Sequence, residues 1–371
     1  MANEDKSARY HRLQRRTSVF STFLTAFFLF VLLFSGGSAA LRDAVSGASF
    51  IVEVTGYVTV LALVLEILSL PLAFYRGVTL ERRYGLSTQS TPKWFVDYLK
   101  SGAIALVFAI GAAAIVLSLV RWNGDTWWIA AAAVFTVILV LLAQLAPVLL
   151  LPLFYQITPI TRDALRTRLL ALADKAGARV MGVFEWRLSD RTKKANAALA
   201  GIGRTRRILL SDTLLAEHSD DEIEVILAHE LAHHVYRDIW SSIIVEAMLI
   251  GLGCFVADIA LTRLGASFGL AGKADVAGLP LLVLAGGIVS LISMPIVNAF
   301  SRAHERRADR YALEITRNAP AFINAMRRLA AQNLAEEEPS RLVQLLFHTH
   351  PTIAARIEAA REYELPRPHE A

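Results

Sequence analysis

The sequence predicts a mainly α, polytopic membrane protein with about six transmembrane helices. A cytoplasmic α+β domain, assembled from two chain segments, completes it. Three observations predict this class. Hydrophobic residues make up 55% of the 371 residues and charged residues only 19%, and mean hydropathy is +0.46. Six apolar runs are each long enough to cross a bilayer. The basic residues gather in alternate connecting segments.

The runs cover residues 19–40, 50–75, 102–120, 127–155, 239–261 and 278–300. The first follows a polar lead of about 18 residues and is followed by further spans, so it reads as an anchor rather than a cleavable signal peptide. Four acids, Glu53, Glu66, Glu246 and Asp258, fall inside these runs. Facing lipid they would be costly, so they should face the bundle interior or reach water near span ends. The single cysteine, Cys254, lies in the fifth run, which excludes an intramolecular disulfide and a Cys-rich zinc site.

Orientation follows from Lys and Arg. Segments 1–18, 76–101, 156–238 and 301–371 hold 34 of the 38 basic residues. The opposite side holds only Arg42, Arg121, Arg263 and Lys273. By the positive-inside rule both termini are cytoplasmic. The net charge of +5 is then explained by an anionic inner leaflet, and no nucleic-acid partner is needed. The chain divides into 1–155, with four membrane helices, a segment 156–238, a membrane helix pair 239–300, and a last segment 301–371, the second and fourth being those the motifs below mark as catalytic.

Within the first catalytic segment, residues 161–177 read as an amphipathic helix ending at Gly177. Residues 179–188 read as a strand with Val180, Val183, Phe184 and Trp186. Residues 196–201 and 206–211 can pair as a hairpin around Gly201, Ile202 and Gly203. A helix over 220–237 follows, opened by a capping box at Ser219 and Glu222. Ile223, Ile226, Leu227 and Leu231 give it an apolar stripe. The second catalytic segment continues helical from span six through 302–313. Glu336, Glu337 and Glu338 read as a solvated loop.

The capped helix carries His229-Glu230-Leu231-Ala232-His233, the pattern H-E-x-x-H. Residues at i and i+4 share a helix face, so two imidazoles can bind one zinc while Glu230 acts as general base. At this composition the pattern arises by chance about 0.01 times per chain. A catalytic zinc usually takes three protein ligands. Glu305 and Asp309, also i and i+4, can supply a ligand and a carboxylate for the other nitrogen of a ligand histidine. In an Arg-rich helix the same two acids can equally be salt-bridge formers.

In this order the motifs resemble the CAAX prenyl-protease-type family of integral-membrane zinc metallopeptidases. Glu81, Gly85, Gln89 and Thr91 resemble its loop E-x-x-x-G-x-x-x-Q-x-T. Asn196-Ala197 and the run from Arg206 to Leu215 resemble its hairpin. H-E-x-x-H, Ser301-Arg302 with Glu305, Ala308 and Asp309, and His350-Pro351 with Arg356 complete the set. The chain departs from the eukaryotic members in having six spans rather than seven, and in His234 where an aromatic residue commonly stands.

The resemblance implies one zinc per chain held by His229, His233 and Glu305, with Asp309 behind them. It implies catalysis by Glu230, an oxyanion contact from His350, and support from Arg356. His348 is the alternative register for His350, and the plain reading of His350 is a loop histidine before a helix start. An edge strand over 196–200, with Asn196, Ala197 and Ala198, would hold the substrate by β-augmentation. The implied partners are membrane lipids and a peptide or protein substrate, prenylated ones among them. The implied activity is endopeptidase cleavage near the C-terminus of lipidated or hydrophobic peptides. The alternatives are degradation of damaged membrane proteins, and a transporter or receptor with a vestigial motif.

Overall fold

A computed structural model describes residues 6–47, 49–201 and 206–364. Among these, six helical stretches are long and apolar enough to cross a membrane. α1 (Lys6–Phe34) begins well before the apolar run, and α2 (Gly37–Val45) follows it. The expected span to residue 40 is therefore too long. Gly36 takes a left-handed φ of 72° and turns the chain. α2 is then tied down by Ser38, whose hydroxyl donates to the Ala277 carbonyl at 2.6 Å.

α3 (Phe50–Phe74) starts on a Ser49 cap and passes Pro71 into a π-helical stretch, Tyr75–Leu80. α4 (Glu81–Arg83) ends there. α5 (Thr91–Trp122) and α6 (Trp127–Leu149) form the next hairpin. With α7 (Leu151–Phe154), set off by a kink at Leu150, the fourth stretch runs Trp127–Phe154, close to the expected 127–155. Pro147 and Pro152 each remove a backbone donor there. Phe23, Ile67, Leu99, Val107, Ile244, Ile292 and Ile296 are exposed on the long helices, apolar surface suited to lipid.

Two of the intramembrane acids are bonded. Asp258 accepts from Trp127 Nε1 at 2.7 Å and from Lys273 Nζ at 2.9 Å, and Glu66 accepts from the Tyr98 hydroxyl. Cys254 is half-buried against the cluster of Trp127, Ala257 and Leu281.

The soluble part packs helices on one small sheet. β1 (Ile157–Pro159) pairs antiparallel with β2 (Val183–Trp186), which runs parallel to β4 (Arg207–Ser211). β3 (Ala197–Ala200) pairs antiparallel with β4, in register Ala197 with Leu210. The order β1-β2-β4-β3 leaves β3 at an edge. The hairpin pairing is as expected; Ile202 and Gly203 of its turn lie outside the described residues. The strand expected over 179–188 is shorter, because Met181 N already bonds Arg206 O outside the ladder.

α8 (Asp163–Lys175) lies N-terminal to β2, and α9 (Asp212–Glu217) leads from β4 to α10 (Asp220–Val235). α11 (Asp238–Leu264) re-enters the membrane. α12 (Leu279–Thr316) returns, about 57 Å long at 1.5 Å per residue, and continues unbroken into the soluble core. α13 (Ala319–Asn333), α14 (Arg341–Phe347) and α15 (Ile353–Glu364) close over it. The largest buried cluster joins Ile208, Leu210, Ile223, Leu227, Leu231 and Phe322.

The expectation of a solvated acidic loop fails at one residue. Glu336 forms an ion pair with Arg15 of α1, whereas Glu337 and Glu338 are exposed. His11 of α1 bonds the Leu334 carbonyl at 2.9 Å. The first turns of α1 thus anchor the segment that leads into α14.

Candidate metal centre

α10 has a defined start. Ser219 accepts from Glu222 N, and the Glu222 carboxylate accepts from Ser219 N at 2.9 Å. Its apolar stripe, Ile223, Ile226, Leu227 and Leu231, is buried. His229, Glu230 and His233 lie i+3, i+4 and i+7 from Ile226, at the edge of that buried stripe, where α10 meets α12.

Both histidines are fixed through Nδ1. His229 Nδ1 donates to Asp309 Oδ1 at 2.9 Å, and His233 Nδ1 donates to Asp238 Oδ2 at 2.8 Å. Their rings stand perpendicular, with centroids 5.0 Å apart. With each Nδ1–H committed, each Nε2 presents a lone pair. Those lone pairs face one carboxylate: His229 Nε2 is 3.2 Å from Glu305 Oε2 and His233 Nε2 is 3.4 Å from Glu305 Oε1. The three side chains offer ligand atoms within 4.8 Å of one another.

Acceptors converging on an acceptor repel unless a cation lies between them. Glu305 is buried, and its Oε2 has no hydrogen-bond partner. The donor set, two neutral imidazoles and a carboxylate, fits a divalent metal such as zinc. Without a cation, burial opposes charge on His229, but the Asp309 and Glu305 carboxylates outweigh it and push its pKa up to about 9. A metal at Nε2 competes with that proton.

Asp309 is held in turn. Arg356 of α15 grips it with two bonds, 2.9 and 2.6 Å. The Arg356 side chain is only 10% exposed, so it braces the centre and leaves little surface for a substrate. Asp238 is buried and also pairs with Arg307. Asp238 was missed by the sequence reading. It lies just past the end of α10, where Arg237 takes a left-handed φ of 57° and turns the chain into α11. Asking where the second Nδ1–H goes would have found it.

Glu230 is half-buried beside the ligands and lines a cavity of about 800 Å³ with His233. Burial raises its pKa, against the lowering pull of His229 and His233. His350 comes to the same centre, with Nε2 3.4 Å from Glu305 Oε1 and 59% of the side chain exposed. His348 points elsewhere, toward Glu336 at 3.7 Å. The loop between them is held by α12. Asn298 donates to the Leu345 and Leu346 carbonyls at 3.3 and 2.8 Å, and Arg302 donates to those of Gln344 and His348 at 2.9 and 2.6 Å. These satisfy the C-terminal carbonyls of α14. Asn298 and Arg302 therefore link His350 to the helix that carries Glu305.

Asn196 sits at the start of β3, its N–H donating to Ser211 Oγ at 2.9 Å. Ala197 and Ala198 follow on the edge strand, opposite Leu210 and Leu209. Their other side carries no strand among the described residues.

Comparison with known proteins places this geometry. Residues 159–364 match peptidase family M48, and residues 2–156 match the CAAX prenyl protease N-terminal region, described as five membrane helices. Four of the six long apolar helices here fall in that region. The chain is 31% identical to an uncharacterized metalloprotease, YhfN, of Bacillus subtilis, over 93% of this chain and 82% of that one. It is 26% identical to CAAX prenyl protease 1 of Saccharomyces cerevisiae, over 79% and 68%. The crystal structure of S. mikatae Ste24p shares the fold, with a TM-score of 0.86, 22% identity, and coverage of 96% and 88%. The chain belongs to peptidase family M48 and is an integral, multi-pass membrane metallopeptidase.

Proposed function

We propose that the chain is a zinc endopeptidase that cuts lipidated or hydrophobic peptides near their C-terminus at the cytoplasmic face of a membrane. The observation that carries this reading is the convergence of two imidazole lone pairs and the Glu305 carboxylate, each imidazole oriented by its own aspartate. One zinc held by His229, His233 and Glu305 would polarise the scissile carbonyl and lower the pKa of water toward about 7. Glu230 takes the proton from the attacking water and returns it to the leaving amine. His350 donates to the developing oxyanion. The β3 edge, with Asn196, Ala197 and Ala198, pairs with the extended substrate. Arg356 and Asp309 keep His229 in one tautomer.

The membrane supports the substrate class. α11 starts at Asp238, which holds a proposed ligand, and α12 carries Glu305 directly out of its apolar stretch. The site thus lies where a lipid-anchored peptide would present its end. Relatives named CAAX prenyl protease 1 point the same way. Cleavage of a farnesylated CAAX peptide, set beside cleavage of casein, tests it. Preference for casein would favour general membrane-protein degradation instead.

Metal content is the direct check on the ligands. Purified protein should hold about one zinc per chain. His229→Ala and Glu305→Ala should lose most of it, and Asp238→Asn should weaken affinity about 10–100-fold. Full occupancy in Glu305→Ala would mean that the third ligand lies elsewhere.

Orientation has its own test. Single cysteines at 262–277 should react with an impermeant thiol reagent from outside intact cells, and those at 76–101 should not. The basis is the 34-to-4 division of basic residues. External labelling of 76–101 would place the centre on the other face.

A further inference from the structure

The cavity of about 800 Å³ lined by Glu230 and His233 is also lined by Arg206, His234 and Arg237. We propose that these residues form a subsite for a carboxylate on the substrate, so that the enzyme selects peptides by a negative charge near the scissile bond. The proposal rests on the peptidase reading above and names the chemistry its substrate must carry.

The charge balance of the cavity carries the argument. Arg206 is half-buried, and its guanidinium bonds His234 Nε2 at 3.2 Å. Arginine only donates, so His234 accepts there and neutralises nothing. Arg237, at the exposed rim, has no ion pair among the described residues, whereas the half-buried Arg168, Arg191 and Arg356 each meet a carboxylate. Glu230 is the one acid among the described residues lining the cavity, and it is assigned to the attacking water. A cationic recess beside a reaction centre gains most when an anionic group enters it, because the low-dielectric walls strengthen the pairing. Leu199, Val235 and Trp240 supply apolar wall. The fitting group is therefore a carboxylate flanked by an apolar side chain.

Strand direction decides where that carboxylate sits in the peptide. β3 runs from Ala197 toward the cavity, which begins at Leu199 and Gly201. A substrate strand parallel to β3 would bring its C-terminal end there, and the group would be the terminal carboxylate. An antiparallel strand would bring its N-terminal side, and the group would be an acidic side chain upstream of the cut.

Two peptide pairs separate these sources. One pair differs only in a free or amidated C-terminus, the other only in Glu or Gln upstream of the cut. With the zinc-loaded full chain, one pair should show about a tenfold preference for the carboxylate, mostly in KM. Added salt should reduce it. Arg206→Gln and Arg237→Gln should each move the ratio toward one with zinc content kept, and Arg206→Glu should invert it. Peptide affinity measured on zinc-loaded Glu230→Gln gives the same ratio without turnover. Discrimination there with no cleavage by the wild type would sink the peptidase reading and leave this one standing. Equal handling of both pairs by the wild type, or a preference that survives in both Arg→Gln variants, overturns the proposal.

Discussion

Glu230→Gln should lower kcat by about 10²–10⁴ while zinc stays near one per chain. The substitution keeps the shape of the side chain and removes only its capacity to take a proton. Glu230 lies outside the group of side chains that can hold the metal, so its loss should not release the ion. Its surroundings suit a base, because burial raises its pKa above that of an ordinary carboxylate. Zinc content and single-turnover cleavage, measured on the same preparation, check the prediction. A turnover near wild type would mean that another group takes the proton, and a loss of zinc would mean that Glu230 helps to hold the metal.

The parts of the site that lie within one helix were legible in the sequence, and the reason is local. H-E-x-x-H needs only the 3.6-residue period, and the Ser219–Glu222 cap needs only neighbours three residues apart. The i, i+4 spacing put Glu305 and Asp309 on one face, but their place beside His229 was expected only from the family resemblance. The membrane spans were legible from length and hydropathy, but their ends were set by other forces. Gly36 ended the first short of residue 40, while the fourth runs to Phe154 nearly as expected. What escaped was non-local. Asp238 reaches His233 only because Arg237 adopts a left-handed turn. β1 is three residues long and exists through its pairing with β2. Asn298 and Arg302 act on backbone carbonyls more than 40 residues away, and a carbonyl leaves no mark in a sequence.

That last contact shapes the second large effect. His350→Phe should lower kcat about 10²–10³-fold, with KM and zinc content nearly unchanged. An oxyanion donor strengthens its bond as charge develops, so its removal costs the transition state more than the bound substrate. The exposed face of His350, beside Glu305, leaves room for a substrate carbonyl. His348→Phe should be mild, because that ring faces Glu336. Exchange of the two effects would mean that the loop sits two residues out of register. Asn298→Ala should reproduce part of the His350→Phe loss, since it frees two carbonyls of α14 and loosens the loop. Combined with His350→Phe it should add little, because both act through the same imidazole. Full additivity would show that Asn298 serves the helix rather than the histidine. Mild effects from both histidines would leave the C-terminal segment a packing role and assign the oxyanion to another donor.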